Sequence, residues 1–442
     1  MSKITVKEFS TNLDKFRVPL SSFEREKRKG LIPYYGAAKI IDYVDGFTHT
    51  GLSVLIAEDG SVETKNGYPV VQLANGEYWV NNHTHVLKGG DDIDTTYLYY
   101  ALQTIKVAPF VTGAVQKKIS QQALNSMEIP YFEDKTDRKR IVEILSSFDE
   151  KIQLNTQINQ TLEQIAQALF KSWFVDFDPV RAKAQALSDG LSLEQAELAA
   201  MQAISGKTPE ELTALSQAQP DRYAELAETA KAFPCEMVEV DGVEVPKGWE
   251  VKPLPEIIDF LEGPGIRNWQ YTDEEDGIKF INIRCIQNGD LTLTTANKIT
   301  KEEAFGKYKH FQLEEDDIVV STSGTLGRFA FVRKEHLPLS LNTSVIRFRP
   351  IKNKSTLGFI AGFVENQLQH ELEIRASGSA QRNFGPTHLK QISLLVPDFK
   401  LLELHQKYAS SLFEKRKQLL SEIDVLKDTR DLLLPKLLNG EI

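Results

Sequence analysis

The strongest constraint in this sequence is that it is built twice. Near the middle of the first half stands Thr112-Gly113-Ala114-Val115-Gln116-Lys117-Lys118-Ile119, followed by Leu124 and Ile129-Pro130-Tyr131-Phe132. The second half repeats the order with Ser377-Gly378-Ser379-Ala380-Gln381-Arg382-Asn383-Phe384, then Leu389 and Val396-Pro397-Asp398-Phe399. Each copy runs on into a helical stretch, through Ser146-Ser147-Phe148-Asp149-Glu150-Lys151 in one and Ser410-Ser411-Leu412-Phe413-Glu414-Lys415 in the other. A weaker echo upstream pairs Asn82-His83-Thr84-His85-Val86-Leu87-Lys88 with Leu341-Asn342-Thr343-Ser344-Val345-Ile346-Arg347. The period is far too long for a solenoid, so each copy is a domain followed by a helix.

Within the domains the pattern favours short strands mixed with short helices. Gly67 to Leu73 and Tyr78 to Val80 flank an Asn75-Gly76 turn and read as a hairpin. Ile318 to Val320 and Phe329 to Val332 flank a Ser/Thr/Gly loop in the second copy, while Thr95 to Lys106 and Gly358 to Leu372 are helical. The long helices carry a coiled-coil seam. In the first, Ile141, Leu145, Phe148 and Ile152 keep the spacing, which slips near Asn155 and resumes at Ile158, Leu162, Ile165 and Leu169. In the second, Ala409, Leu412, Arg416, Leu419, Ile423, Leu426, Arg430, Leu433 and Leu437 form one stripe, with Pro435 restricting its end. The two stripe arginines need carboxylates from the partner helix or a place at the rim. Helices of roughly thirty to forty residues, about 45–60 Å long, want a partner, and an antiparallel pair is the simplest solution.

The expected fold class is therefore α+β: two similar domains separated by two long antiparallel coiled-coil helices, a pseudo-two-fold repeat. The boundaries are a first domain over 1–132, a first helix over 133–175, an acidic Ala-rich linker over 176–245, a second domain over 246–397 and a second helix over 398–442. In the linker, Ser192-Leu193-Glu194-Gln195 is a capping box and Thr208-Pro209 a helix start, so short exposed helices are expected there, with a partly disordered linker as the alternative.

Composition excludes several classes. With 41% hydrophobic and 26% charged residues the chain is ordinary globular protein, and no stretch is long and apolar enough to span a membrane or act as a signal peptide. The cysteines, Cys235 and Cys285, are too few for a disulfide framework, which fits a reducing, cytoplasmic setting. A net charge of −10 argues against nucleic acid on its face, yet contact is decided by a local face. Positive charge clusters at Arg25, Lys27, Arg28 and Lys29, and at Arg328, Arg333, Lys334, Arg347 and Arg349.

Motifs for catalysis fail on inspection. Gly206-Lys207-Thr208 lacks the first glycine of a phosphate loop, Met201 standing there, and Thr208 serves better as a helix cap. His83-Thr84-His85 lacks companion ligands for a metal. Asp398 has no acidic counterpart in the first copy, and Ile32-Pro33-Tyr34-Tyr35 lacks what an adenine methyltransferase needs. No cofactor site and no enzyme activity is expected in this chain. What remains suits nucleic acid: each copy sets Gln beside Lys or Arg in a glycine-containing loop just before its helix. Lys and Arg can bind phosphate or guanine, and Gln can bridge adenine. The candidate contacts are Lys39, Lys65, Asn81, Gln116, Lys117 and Lys118 in the first copy. In the second they are Arg267, Asn268, Arg284, Ser323, Thr325, Arg328, Gln381, Arg382 and Asn383. Trp269, beside Arg267 and Asn268, also suits a place in the core.

Several of these segments resemble the specificity subunits of type I restriction-modification enzymes: Tyr34-Tyr35-Gly36-Ala37, Asn81 to Leu87, Ile141 to Ile152, Ala168 to Pro179, Val245 to Glu250 and the C-terminal Leu432 to Ile442. The likeness spans nearly the whole chain, apart from Met1 to Gly30, which lacks the Pro246-Lys247-Gly248-Trp249-Glu250 type of opening. It implies two target-recognition domains, each reading one half of a bipartite site in double-stranded DNA. It also implies two modification subunits carrying S-adenosylmethionine and restriction subunits using ATP. Ile141, Leu145, Phe148, Ile152, Ile158, Leu162, Leu169, Leu412, Leu419, Ile423, Leu426 and Leu433 would then serve the spacer and the docking of modification subunits. A duplicated coiled-coil adaptor that never touches DNA is the rival reading.

Overall fold

The computed structural model describes residues 2–113, 116–287, 289–323, 327–375 and 384–442. The first copy runs β1 (Ser2–Thr5), α1 (Val6–Phe9), β2 (Thr11–Asn12), α2 (Ser22–Lys27), β3 (Lys29–Tyr35), β4 (Ile40–Val44), β5 (His49–Thr50), β6 (Ser53–Ala57), β7 (Val71–Ala74), β8 (Glu77–Val80), β9 (Thr84–Lys88), α3 (Asp92–Leu102), β10 (Val111–Thr112), β11 (Lys118–Ile119), α4 (Gln121–Ser126), β12 (Glu128–Tyr131) and α5 (Lys135–Phe174). Next come α6 (Asp178–Ser188), α7 (Leu193–Ser205), α8 (Pro209–Ala218), α9 (Pro220–Ala232) and the hairpin β13 (Met237–Val240) and β14 (Val243–Pro246).

The second copy follows with β15 (Glu250–Pro253), β16 (Ile258–Glu262), β17 (Ile278–Phe280), β18 (Ile286–Gln287), β19 (Asp290–Leu291), β20 (Asn297–Ile299), α10 (Lys301–Phe305), β21 (Ile318–Ser321), β22 (Phe329–Phe331), β23 (Leu339–Ser340), β24 (Val345–Pro350), α11 (Leu357–Phe363), α12 (Gln369–Arg375), α13 (Pro386–Leu389), β25 (Ser393–Val396) and α14 (Phe399–Leu438).

The duplication is written in the sheet topology. A sheet ordered β2-β9-β6-β7 in the first copy has its counterpart in β16-β24-β21-β22. The parallel pair of β3 with β8, flanked by β4, recurs as β17 with β23, flanked by β20. The ends of each domain close alike, β1 on β12 and β15 on β25, all antiparallel. The start of the chain, which lacks the second copy's opening motif, thus plays the same structural part. The Asn75-Gly76 turn, by contrast, does not close a hairpin. β7 pairs with β6, whereas β8 pairs with β3 and β5, so the turn passes the chain between two sheets.

The chain divides into two compact units, Met1–Thr156 with Glu422–Ile442, and Gln157–Ser421, so each long helix contributes to both. In the first, Val54 and Ile56 of β6 and Leu87 of β9 pack with Tyr97, Leu98 and Leu102 of α3. Ile141 and Leu145 of α5 and Leu434, Leu437 and Leu438 of α14 share that core. In the second, Ile318, Val320, Ile346 and Phe348 pack with Phe359 and Phe363, and with Phe170, Trp173, Leu402 and Phe413 of the helices. Within each unit the helices run antiparallel: Asp149 meets Arg430 and Lys151 meets Glu422 in one, and Glu163 meets Arg416 in the other. Both stripe arginines therefore find carboxylates on the facing helix, as the desolvation argument required.

The first helix differs from expectation in one respect. Its buried face does not slip after Ile152 but continues through Asn155, which is fully buried, then Asn159, Leu162, Ala166, Phe170 and Trp173. Ile165 is 48% exposed and lies off the seam. The segment after α5 is likewise more than a string of exposed helices. Ala200, Met201, Leu212, Leu226 and Ala230 form a core of their own. The buried Lys183 ammonium donates to the carbonyls of Ala230 and Phe233 at 3.0 and 2.7 Å, capping the end of α9. No described helix is long and apolar enough to cross a membrane.

Candidate nucleic-acid interface

Strand order decides which loops meet. In the second copy β16 ends, β24 begins, β21 ends and β22 begins at the same end of one sheet, because each neighbour is antiparallel. Residues 263–272, 322–323, 327–328 and 341–344 therefore converge there. Backbone hydrogen bonds fasten them: Thr343 N to Pro264 O at 2.8 Å, Thr322 N to Ser344 O at 2.9 Å and Ser321 N to Arg328 O at 2.8 Å. Phe384, which follows 376–383 directly, donates its amide to Thr322 O at 3.1 Å. Asn342 is buried and its side-chain oxygen accepts from the Ile266 amide at 3.1 Å, fixing the first loop to the third.

The first copy brings the equivalent loops together in the same way. β6 ends, β7 begins and β9 begins at one end, and the segment around Lys118 lies beside them, with Gly60 N donating to Lys117 O and Ile119 N to Glu58 O. Here the cluster is ionic. Arg17 bonds Glu58 at 2.6 Å and the Thr84 carbonyl at 2.8 Å, and Lys118 reaches Glu58 at 3.0 Å. His85 is buried, with ring nitrogens on the Asp14 carboxylate at 2.6 Å and the Ile119 carbonyl at 2.9 Å. Burial opposes ionisation of Asp14 and Glu58. Hydrogen bonds from His85 and the Val86 amide to Asp14, and from Arg17 and Lys118 to Glu58, nevertheless hold both below the usual carboxylate range. At Gly113, φ is +90° and an added Cβ would sit 2.1 Å from the Gln116 carbonyl, so only glycine fits the approach of this loop.

The predicted contacts separate on this frame. Gln116, Lys117 and Lys118 are exposed at the converging end, and Lys65 lies exposed in the turn after Glu63. Lys117 and Lys118 are ion-paired to Glu63 and Glu58, so part of their charge is already answered. Arg267, Asn268 and Arg328 are exposed in the equivalent loops of the second copy, with Ser323 half-buried beside them. Thr325, Gln381, Arg382 and Asn383 lie outside the described residues.

The structure corrects the expectation for Asn81 and places Lys39, Arg284 and Trp269. Asn81 is buried, and its side-chain oxygen accepts from the His83 amide at 2.9 Å, so it shapes the turn rather than facing a ligand. Lys39 is exposed on the β3–β4 turn and Arg284 on the turn after β17, outside the converging loops named above. Trp269 is 79% exposed and not part of the core.

The basic clusters are largely spent inside the protein. Arg25 and Lys29 pair with Asp42, Arg28 with Asp45, Arg333 with Asp290, Arg347 with Asp259 and Arg349 with Asp317. His83 pairs with Asp59 at 2.8 Å, and among the described residues no group of three or more His, Cys, Asp or Glu is placed to hold a metal. The positioning roles of Arg17, Asp14 and Glu58 left no trace in the sequence, because their partners lie far along the chain.

The chain matches the type I restriction modification DNA specificity domain twice, over residues 3–164 and 246–418. It is 48% identical over 325 residues to the HindI specificity subunit of Haemophilus influenzae, covering 72% of this chain and 69% of that protein. To the MjaIX specificity subunit of Methanocaldococcus jannaschii it is 23% identical over 404 residues, covering 88% and 79%. A solved S subunit of a type I restriction-modification system from M. genitalium shares the fold at a TM-score of 0.53 and 18% identity, covering 99% of this chain and 95% of that one.

Proposed function

The chain belongs to the type I restriction-modification DNA specificity subunits, and from that premise we propose that each of its two domains reads one half of a bipartite target in double-stranded DNA. The observation that carries this is the convergence of equivalent loops, in both copies, at the same end of the same four-stranded sheet. Exposed Lys65, Gln116, Lys117 and Lys118 in one copy and Arg267, Asn268, Ser323 and Arg328 in the other give that end donors for phosphates and base edges. In this reading α5 and α14 set the gap between half-sites. The stripe residues expected to dock partners, Ile141, Leu145, Phe148, Ile152, Ile158, Leu162, Leu169, Leu412, Leu419, Ile423, Leu426 and Leu433, are all buried or half-buried, so they serve the spacer. The outward residues of the two helices dock two modification subunits, to which restriction subunits are added. S-adenosylmethionine and ATP act on those partners, and this chain supplies recognition without chemistry. An adaptor that bridges proteins and never touches DNA is set aside, since the matched family is a DNA specificity domain.

The test is a ruler experiment. Removing one helical turn, about 5.4 Å, from both α5 and α14 shortens the spacer by the height of one or two base pairs. Methylome sequencing of cells expressing the shortened chain with its modification partner should then find both half-sites unchanged and the gap between them reduced. A constant gap refutes the ruler. A complex whose affinity for specific DNA is flat between low and physiological salt refutes phosphate contact.

A further inference from the structure

We propose that Phe16 and Trp269 press directly on the bases of the DNA target, one in each half-site, as apolar side chains against thymine methyls and base edges. The inference rests on the reading above that the converging loops face DNA, and it names two residues that their basic neighbours overshadow.

The two positions are equivalent by topology. The loop after β2 begins with the Leu13 amide donating to Val86 O at 2.8 Å, and the loop after β16 begins with the Gly263 amide donating to Val345 O at 3.1 Å. Each then makes one turn of 3-10 helix, Asp14–Phe16 in the first copy and Asn268–Gln270 in the second. Each sets a large aromatic into solvent there, Phe16 at 50% and Trp269 at 79% exposure. A single exposed aromatic needs no explanation. The same type of side chain left exposed on the same loop of two diverged copies does.

Neither loop can fold its aromatic away, because both are fixed from beneath. Asp14 is held by His85 and the Val86 amide, and Arg17 by Glu58 and the Thr84 carbonyl. In the second copy the buried Gln270 side chain donates to Glu303 at 3.0 Å and to the Tyr308 hydroxyl at 2.8 Å. Cations flank both rings: the Lys15 ammonium lies 4.8 Å from the Phe16 centroid, and Arg267 stands two residues before Trp269. A rigid aromatic set among phosphate-seeking cations suits apolar readout of base edges, for which thymine offers its methyl group and flexible steps an opening.

The test uses the full chain co-expressed with its modification subunit in a host without competing methylation, read by methylome sequencing. Trp269→Ala should relax base preference at one or two adjacent positions of one half-site, lowering methylation of the best site about tenfold, which corresponds to about 1.4 kcal/mol. Trp269→Phe should restore most of it, and Phe16→Ala should act on the other half-site only. Unfolding midpoints should stay at the parent value, since both rings are largely outside the cores.

Unchanged methylation in both alanine variants, with Arg267→Ala combined with Arg328→Ala still lowering it, overturns the proposal while leaving the DNA-facing loops intact. If the double arginine variant is also silent, the reading beneath it fails as well. A uniform loss at every site with unaltered base preference makes the aromatic a general anchor and overturns base contact. Loss of the co-purifying modification subunit makes the ring part of a protein interface and overturns it too.

Discussion

Two buried titratable groups in the second unit pull its stability in opposite directions with pH. His405 lies among Phe174, Trp173 and Phe170 at ring-centroid distances of 4.9, 5.4 and 6.4 Å, with neither ring nitrogen hydrogen-bonded among the described residues. Burial pushes its pKa from 6.5 down to about 3. The Glu365 side chain is 1% exposed, and burial raises its pKa from 4.5 to about 7 against the pull of Arg416 at 3.2 Å. Between pH 4.5 and 6.5 the unfolded chain carries a proton on His405 that the folded chain lacks, while the folded chain carries one on Glu365 that the unfolded chain lacks. Their contributions to ∂ΔG/∂pH, each about 1.4 kcal/mol per unit, cancel over that window.

Single substitutions uncover each slope. His405→Leu removes the term that lowers stability as pH falls from 6.5 towards 3, leaving the Glu365 term, which is fully present below 4.5 and lost as pH rises through 7. Stability of this variant relative to the parent should therefore drop by about 3 kcal/mol from pH 4.5 to 6.5. Glu365→Gln should show the mirror image, rising by about the same amount relative to the parent. Packing costs of either change are offsets independent of pH and leave the slope alone. Urea unfolding followed by the fluorescence of Trp173, buried beside His405, measures both at half-unit steps of pH. A difference from the parent that stays constant across the window refutes the assigned burial of charge.

At pH 8, where Glu365 is mostly ionised, Arg416→Met leaves Glu365 and Glu163 without their shared cation and should destabilise the second unit by up to about 3–5 kcal/mol, less at lower pH, with Glu365→Gln recovering part of the loss in a double-mutant cycle. Asn155→Leu removes a fully buried amide whose nitrogen and oxygen both lack partners among the described residues, and should stabilise the helix seam by about 1–3 kcal/mol in urea unfolding; a loss would mean that the amide is satisfied in solution. Gly113→Ala forces its loop away from the Gln116 carbonyl and should weaken methylation governed by the first domain's half-site while sparing the second, an outcome that methylome sequencing reads directly.

Where sequence alone sufficed, periodicity or repetition was at work. The stripe from Ala409 to Leu437 is legible because burial at helical spacing must be apolar over many turns, and α14 buries or half-buries every one of its members. The facing seam on α5 is not legible at Asn155 and Ile165, because asparagines occupy one buried and one half-buried position of it, and no pattern distinguishes a polar residue inside a seam from one that interrupts it. The same limit governs the candidate site. Charge counting picked Arg333, Arg347 and Arg349 beside Arg328, yet the first three answer Asp290, Asp259 and Asp317, residues brought near only by the order of strands. Trp269 was ambiguous for the converse reason: an aromatic next to a glycine-rich loop serves a core or a ligand equally well until the strand before it fixes which way the loop leaves the sheet. Duplication narrows that ambiguity. A residue kept for packing must fit its own neighbours, which have diverged between the copies, whereas a residue kept for contact with a common ligand need only occupy the equivalent place, as Phe16 and Trp269 do on the loops that follow β2 and β16.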